Sequence, residues 1–328
     1  MRRLRTIAVI GVAITVPLFA AAQEPVSKQV AARIELHPIQ TLTISDQQFL
    51  KGDNNGKAVT ISGQLRIAQG QGRLPVVLLV HGSGGIAAGI DVWSQEFNAR
   101  GISTFVLDSF TGRGLTSVST DQSVLGRLNM ILDVYHALGI LAKHPRVDPA
   151  RIALMGFSRG GQATLYASLT RFQQTWNKSG VSFAAYVPFY PDCMTTYISD
   201  TELTGGPIRI FHGTADDYDP VAPCKAYMER LRAAGRDAQL TEYPNASHGF
   251  DNPLNSPTPA VARNAQTVRH CTIREEPLGL LINAATKEPF TYKDPCVELD
   301  PHTGYDPAAS TSAKQAVKEL LKTVFKLN

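Results

Sequence analysis

Runs of apolar residues recur along the chain, spaced so that a helix fits between most of them. Residues 76–80 (VVLLV) are apolar throughout, as a strand covered on both faces must be. Residues 102–107, 152–155, 183–189, 208–211 and 239–243 read as further buried strands. Residues 92–100 and 221–234 are helix candidates, and a third helix opens at Gln162. In 118–143, Leu125, Leu128, Ile131, Val134, Leu138 and Leu141 fall near helical spacing and predict one long amphipathic helix. A last amphipathic helix is expected over 310–326. Near the start, 42–49 and 58–67 alternate apolar and polar positions around Asp53-Asn54-Asn55-Gly56, which predicts a hairpin at one sheet edge. Strands alternating with helices define an α/β class: a mostly parallel central sheet with helices on both faces.

Two stretches break the pattern. Residues 1–5 (MRRLR) are basic, 6–18 are apolar, and Ala20, Ala21 and Ala22 are small. That order is a secretory signal peptide over 1–22, with maturation near Gln23. The other stretch, Asp251 to Asp306, is polar, proline-rich and too poor in apolar residues for a core of its own. One domain is therefore expected over 23–328: a core at about 58–253, an excursion at 254–309 and a closing helix. Leaving out Arg2, Arg3 and Arg5 brings 32 basic residues down to 29, against 28 acidic. So even a balance offers nothing to nucleic acid or a charged membrane surface. Once the leader is removed, no membrane anchor is expected. The four cysteines, Cys193, Cys224, Cys271 and Cys296, suit disulfides in an exported protein, periplasmic or secreted. Three pairings are possible; short loops favour Cys193–Cys224 and Cys271–Cys296. Metal-ligand spacing is missing around them.

Strand ends carry the candidate chemistry, as expected where ligands bind beyond the carboxyl ends of a parallel sheet. After 152–155 comes Gly156-Phe157-Ser158-Arg159-Gly160, a G-x-S-x-G sequence between a strand and a helix. A sharp turn there exposes a serine while its neighbours must stay small. A serine hydroxyl needs a base, and the base needs an orienting acid. Asp216 follows strand 208–211 and His248 follows strand 239–243, in the chain order this arrangement requires. Asp217 and Asp219 lie beside Asp216; Asp219 precedes Pro220 and reads as an exposed turn residue. Of the other histidines, His81 and His212 are expected to hydrogen-bond their own loops. His136 and His144 read as surface or packing residues, and His37, His270 and His302 as peripheral.

The G-F-S-R-G-G, H-G-T-A-D-D-Y-D-P and S-H-G-F segments together resemble the dienelactone hydrolase family of α/β-hydrolases, over roughly residues 75–253. The resemblance implies the α/β-hydrolase fold. It matches Ser158 to the nucleophile, Asp216 to the acid (the G-x-x-D pattern from Gly213) and His248 to the base. The founding members carry cysteine where this chain has Ser158, which favours ordinary carboxylic esters over dienelactone. The export leader and the cysteine-bearing tail resemble an exported branch. The expected partner is a small-molecule ester, and this chemistry requires neither a metal nor an organic cofactor. An oxyanion would be held by the backbone N–H of Arg159 and of Ser83, or next of Gly84, in the glycine-rich 81–85 loop. That loop lacks the G-K-[ST] of a phosphate cradle. The Arg159 side chain is expected to sit on a local carboxylate. Phe110 is a candidate pocket wall. Arg113 reads either as a clamp for a substrate carboxylate or as an exposed loop residue. Tyr190 and Tyr218 read either as walls for substrate or as packing. Two rival activities stay open: a peptidase or amidase of prolyl-oligopeptidase type, and a binding protein without catalysis on the same fold. Of these, the first usually carries a large gating domain, for which the stretch before the core strands is too short.

Overall fold

The structure is a computed structural model and describes residues 27, 28 and 30–327. The leader inferred over 1–22 lies outside the described residues. In chain order the strands are β1 (Arg33–Thr43), β2 (Lys57–Ile67), β3 (Leu74–Val80), β4 (Ser103–Asp108), β5 (Val147–Phe157), β6 (Ala185–Phe189), the two-residue β7 (Thr195–Thr196), β8 (Ile208–Gly213) and β9 (Ala238–Tyr243). All but β7 form one eight-stranded sheet in the order β1-β2-β4-β3-β5-β6-β8-β9. The β1–β2 and β2–β4 pairs are antiparallel, and every later pair is parallel.

The helices are α1 (Asp46–Lys51), α2 (Ala88–Asn98), α3 (Asn129–Lys143), α4 (Arg159–Tyr166), α5 (Thr170–Trp176), α6 (Val221–Ala233) and α7 (Pro307–Val324). They explain why the strand interiors are apolar without alternation. Val76, Leu78 and Val80 of β3 join one buried cluster with Ile131, Leu138 and Leu231, from α3 and α6. Val77 and Leu79 join another with Trp93 and Phe97 of α2 and Val317 and Leu321 of α7. Each such side chain, moved from water into either layer, contributes roughly 1.5–3 kcal/mol.

Two expectations are corrected. The edge pair is antiparallel as expected, but residues 46–51 form α1 instead of the end of a strand. Ser45 and Gln48 close a capping box on that helix, and Gly52 ends it in the left-handed region at φ 71°. The long helix starts only at Asn129, and 122–124 form a separate 3-10 turn. The backbone before it is taken by other partners. The Arg159 guanidinium claims the carbonyls of Leu125 and Gly126, and the Asp46 carboxylate takes the Leu128 N–H at 2.8 Å. A Cβ on Gly126 would stand 2.9 Å from Asp46 Oδ1.

The polar excursion is a strap of short strands: β10 (Ala260–Val261), β11 (Gln266–Thr267), β12 (Ile273–Glu276), β13 (Leu280–Asn283), β14 (Glu298–Leu299) and β15 (His302–Thr303). It is fastened by β12 running parallel to β7 and by the Arg171–Glu275 ion pair. Gln266 also bonds Gln122 through two contacts of 2.8 Å. Disulfides join Cys193 to Cys224 and Cys271 to Cys296, the pairing that short loops favour. Among the described residues, no helix is long and apolar enough to cross a membrane.

Candidate active site

Ser158 stands between β5 and α4 at φ 53°, ψ −119°. A non-glycine residue rarely holds that geometry, and doing so costs on the order of 1–3 kcal/mol. The turn is held by a hydrogen bond from Ser158 N to Phe189 O at 3.0 Å. It closes only because its neighbours lack side chains. A Cβ on Gly156 would lie 2.2 Å from Gly160 O, and one on Gly160 would lie 2.3 Å from Val80 O.

Asp216 follows β8 and His248 follows β9. His248 Nδ1 donates to Asp216 Oδ2 at 2.8 Å, while Asp216 Oδ1 accepts the N–H groups of Tyr218 and Asp219, each at 2.9 Å. With the proton on Nδ1, His248 Nε2 is the free base nitrogen. Two aromatic rings pack against the imidazole, Tyr190 tilted and Tyr218 stacked, each with its centroid 4.6 Å away. Burial by itself would lower the His248 pKa. The Asp216 carboxylate, through its charge and its hydrogen bond, outweighs it and leaves the pKa above the ordinary histidine value. Among the described residues no hydrogen bond joins Ser158 Oγ to His248. Such contacts tighten when substrate arrives.

Ser83, Ser158 and Arg159 line one recess of about 20 Å³. The backbone N–H groups of Ser83 and Arg159 have no partner among the described residues, so both can receive an oxyanion. Gly84 is exposed and lies outside this recess, whereas Ser83 lines it. Gly82 makes a close approach to Ser158, since a Cβ there would lie 3.3 Å from Ser158 Cβ.

Several side chains depart from expectation. Arg113 is neither a substrate clamp nor exposed. All five of its N–H donors are used: two on Asp133 at 2.7 and 2.9 Å, the others on Thr43 Oγ1, Ser109 O and Leu42 O. Phe110 packs edge-on against His81 at 4.4 Å in the core and walls neither recess at Ser158. The Arg159 guanidinium rests on carbonyls and on Gln122 Oε1, not on a carboxylate. Asp219 is buried, because Thr267 of the strap bonds Tyr218 O at 2.5 Å and closes over the turn. Its carboxyl lies 3.9 Å from His248 Nδ1. Burial first, then Asp192 and Asp216, push its pKa well up, toward the neutral acid. Asp217 turns outward to His302 at 2.8 Å and Arg269 at 3.3 Å. His81 and His212 bond their own loops through Nδ1 to Gly82 O and Gly213 O, at 2.8 and 3.1 Å, as expected.

Sequence reasoning missed a buried anchor and most of the walls. Asp251 accepts from Tyr190 OH at 2.6 Å and Trp93 Nε1 at 2.7 Å, which fixes the Tyr190 ring against His248. Tyr190 also helps wall a second recess of about 80 Å³, with Gly82, Phe157 and Asn252. Arg127 pairs with Asp192 in the first recess, where Thr267, Val268 and Tyr292 of the strap add walls. Only the position of Asp251, three residues past His248, marked it in the sequence.

The dienelactone hydrolase family model matches residues 61–325. Among solved structures, a dienelactone hydrolase-like promiscuous phosphotriesterase from metagenomic libraries superposes with a TM-score of 0.57 at 17% identity, covering 89% of this chain and 98% of that one. Among curated proteins, the uncharacterized peptidase YuxL of Bacillus subtilis is 25% identical over 213 residues, 56% of this chain and 32% of its own length. Acyl-protein thioesterase 1 of Gibberella zeae is 30% identical over 106 residues, 31% of this chain and 43% of its own. The chain thus spans less than half the length of either curated relative. The family match runs from β2 to the end of α7 and takes in Ser158, Asp216, His248 and the strap; this chain belongs to the dienelactone hydrolase family of α/β-hydrolases.

Proposed function

We propose that this hydrolase cleaves small carboxylic esters through an acyl-enzyme. Ser158 Oγ attacks the ester carbonyl carbon while His248 Nε2 takes its proton. Asp216 holds the imidazole with Nδ1 protonated and balances the charge it gains. The N–H groups of Ser83 and Arg159 receive the oxyanion. His248 returns the proton to the departing alcohol, then activates the water that releases the acid. The observation that carries this reading is the 2.8 Å bond from His248 to Asp216 on loops beside a strained Ser158 elbow. Recesses of about 20 and 80 Å³ favour acyl and alcohol groups of a few atoms, and weigh against a peptide chain. A chain without catalysis would have no use for the strain at Ser158. The two disulfides, together with the leader pattern, support export to an oxidising compartment, and the core, strap and closing helix are read as one domain.

Ser158→Ala tests the mechanism. The variant should fold, fail to hydrolyse short p-nitrophenyl esters and resist labelling by a fluorophosphonate. Turnover equal to the parent would remove Ser158 from the chemistry. A parent that folds but neither labels nor turns over would favour the binding protein.

A further inference from the structure

Three side chains converge at the β1 edge of the sheet. Glu35 and His37 lie two residues apart on β1, so both project from one face of the strand. His144, the residue that ends α3, meets them there. Glu35 Oε2 is 2.9 Å from His144 Nε2 and 3.2 Å from His37 Nε2, and the three donor atoms all lie within 4.8 Å of one another. His37 Nε2 is buried yet makes no hydrogen bond, so its contact with Glu35 fails on direction and not on distance. A buried nitrogen in that state is unfavourable unless something accepts its electron pair. Arg33 occupies the other carboxylate oxygen, Oε1, at 2.9 Å, which leaves Oε2 for the cluster.

We propose that Glu35, His37 and His144 form a binding site for a divalent transition-metal ion such as Zn²⁺, ligated by Glu35 Oε2 and both Nε2 atoms, with water in the fourth place. Two imidazoles and one carboxylate are a donor set that suits zinc and its neighbours. Bonds of about 2.0–2.1 Å at tetrahedral angles set donors about 3.4 Å apart. The two Glu35–histidine contacts, at 2.9 and 3.2 Å, therefore open by a few tenths of an ångström to admit the ion. Two local contacts oppose binding: His144 Nε2 donates to Glu35 Oε2 at 2.9 Å, and His144 Nδ1 accepts the Arg146 N–H at 3.2 Å. On binding, the His144 ring proton moves from Nε2 to Nδ1, and the Arg146 N–H turns to water. The site is structural. His144 lies just before the amino end of β5, and Ser158 follows its carboxyl end 11 strand residues later. The ion would tie edge strand β1 to the α3–β5 connection without touching substrate.

The test uses untagged protein stripped with a chelator and desalted. Co²⁺ is titrated by its visible absorption and Zn²⁺ by calorimetry. The expected result is saturation at one equivalent, with the apparent melting temperature rising with Zn²⁺. His37→Ala, His144→Ala and Glu35→Gln, each checked for folding by circular dichroism, should lose both effects. Glu35→Gln keeps the side-chain shape, so its loss of binding separates ligation from packing. Binding absent in the parent, or retained in the His37→Ala/His144→Ala double variant, overturns the site.

Discussion

Replacing Asp216 with asparagine separates the two carboxyls that face His248. Asp216 Oδ1 accepts two backbone N–H groups at 2.9 Å, and an asparagine carbonyl can keep both. Its amide nitrogen then falls where Oδ2 stood, 2.8 Å from His248 Nδ1. Two donors cannot share that contact, so Nδ1 must become the acceptor and the ring proton moves to Nε2. The nitrogen meant to take the Ser158 proton then already carries one. Where a triad acid has been changed in this way, kcat drops about 10⁴-fold with the geometry intact. That is about 5 kcal/mol of barrier. The assay is kcat on p-nitrophenyl acetate, with circular dichroism and a urea melt as controls for folding. Asp219→Asn provides the contrast. It removes a buried carboxyl that bonds no donor at His248, and kcat should change by less than about 10-fold. An active Asp216→Asn alongside an inert Asp219→Asn would refute the reasoning and move the acid to Asp219.

Three further outcomes follow. The kcat/KM profile should fall on the acid side with a midpoint above the ordinary histidine value of about 6.5, because His248 works only when neutral and the Asp216 carboxylate raises its pKa; a midpoint below that value would contradict the electrostatics. Arg113→Met should leave Asp133 charged and unpaired in the core and lower unfolding free energy by about 3–5 kcal/mol, read from the urea midpoint; turnover should survive where the variant is folded, since Arg113 has no donor free for substrate. Replacing Cys271 and Cys296 with serine opens a loop of 25 residues, which loop entropy values at about 3–4 kcal/mol. Limited proteolysis should then cut first within 254–306, and a first cut elsewhere would show that the strap is held without the disulfide.

Local features made the candidate groups legible. The turn at Ser158 needs small residues within a few positions, and Asp216 and His248 each head a loop directly after a strand. The sheet core was legible for the same reason, as strands covered on both faces lose their alternation. The Ser45–Gln48 capping box was also in the sequence, but the alternation through 42–49 masked it. What escaped depends on distant contacts. Asp219 looks like a surface turn residue because the strap that buries it lies some fifty residues later. Arg113 looks free until α3 brings Asp133 against it. The helical spacing of Leu125 and Leu128 is real, yet Arg159 and Asp46 take the backbone groups that a helix would need there.

Part of the wall around Ser158 comes from a stretch of the chain remote from the candidate site residues. Ser158, Asp216 and His248 lie on turns and loops that follow strands of the sheet, and the glycines packed around Ser158 leave little freedom for change there. Thr267, Val268 and Tyr292, which close the recess over Ser158, all belong to the strap. Mutations in the strap can therefore reshape the recess without disturbing the elbow. On the proposed function, substitutions in one cystine-bridged segment would change which ester fits while Ser158, Asp216 and His248 stay as they are.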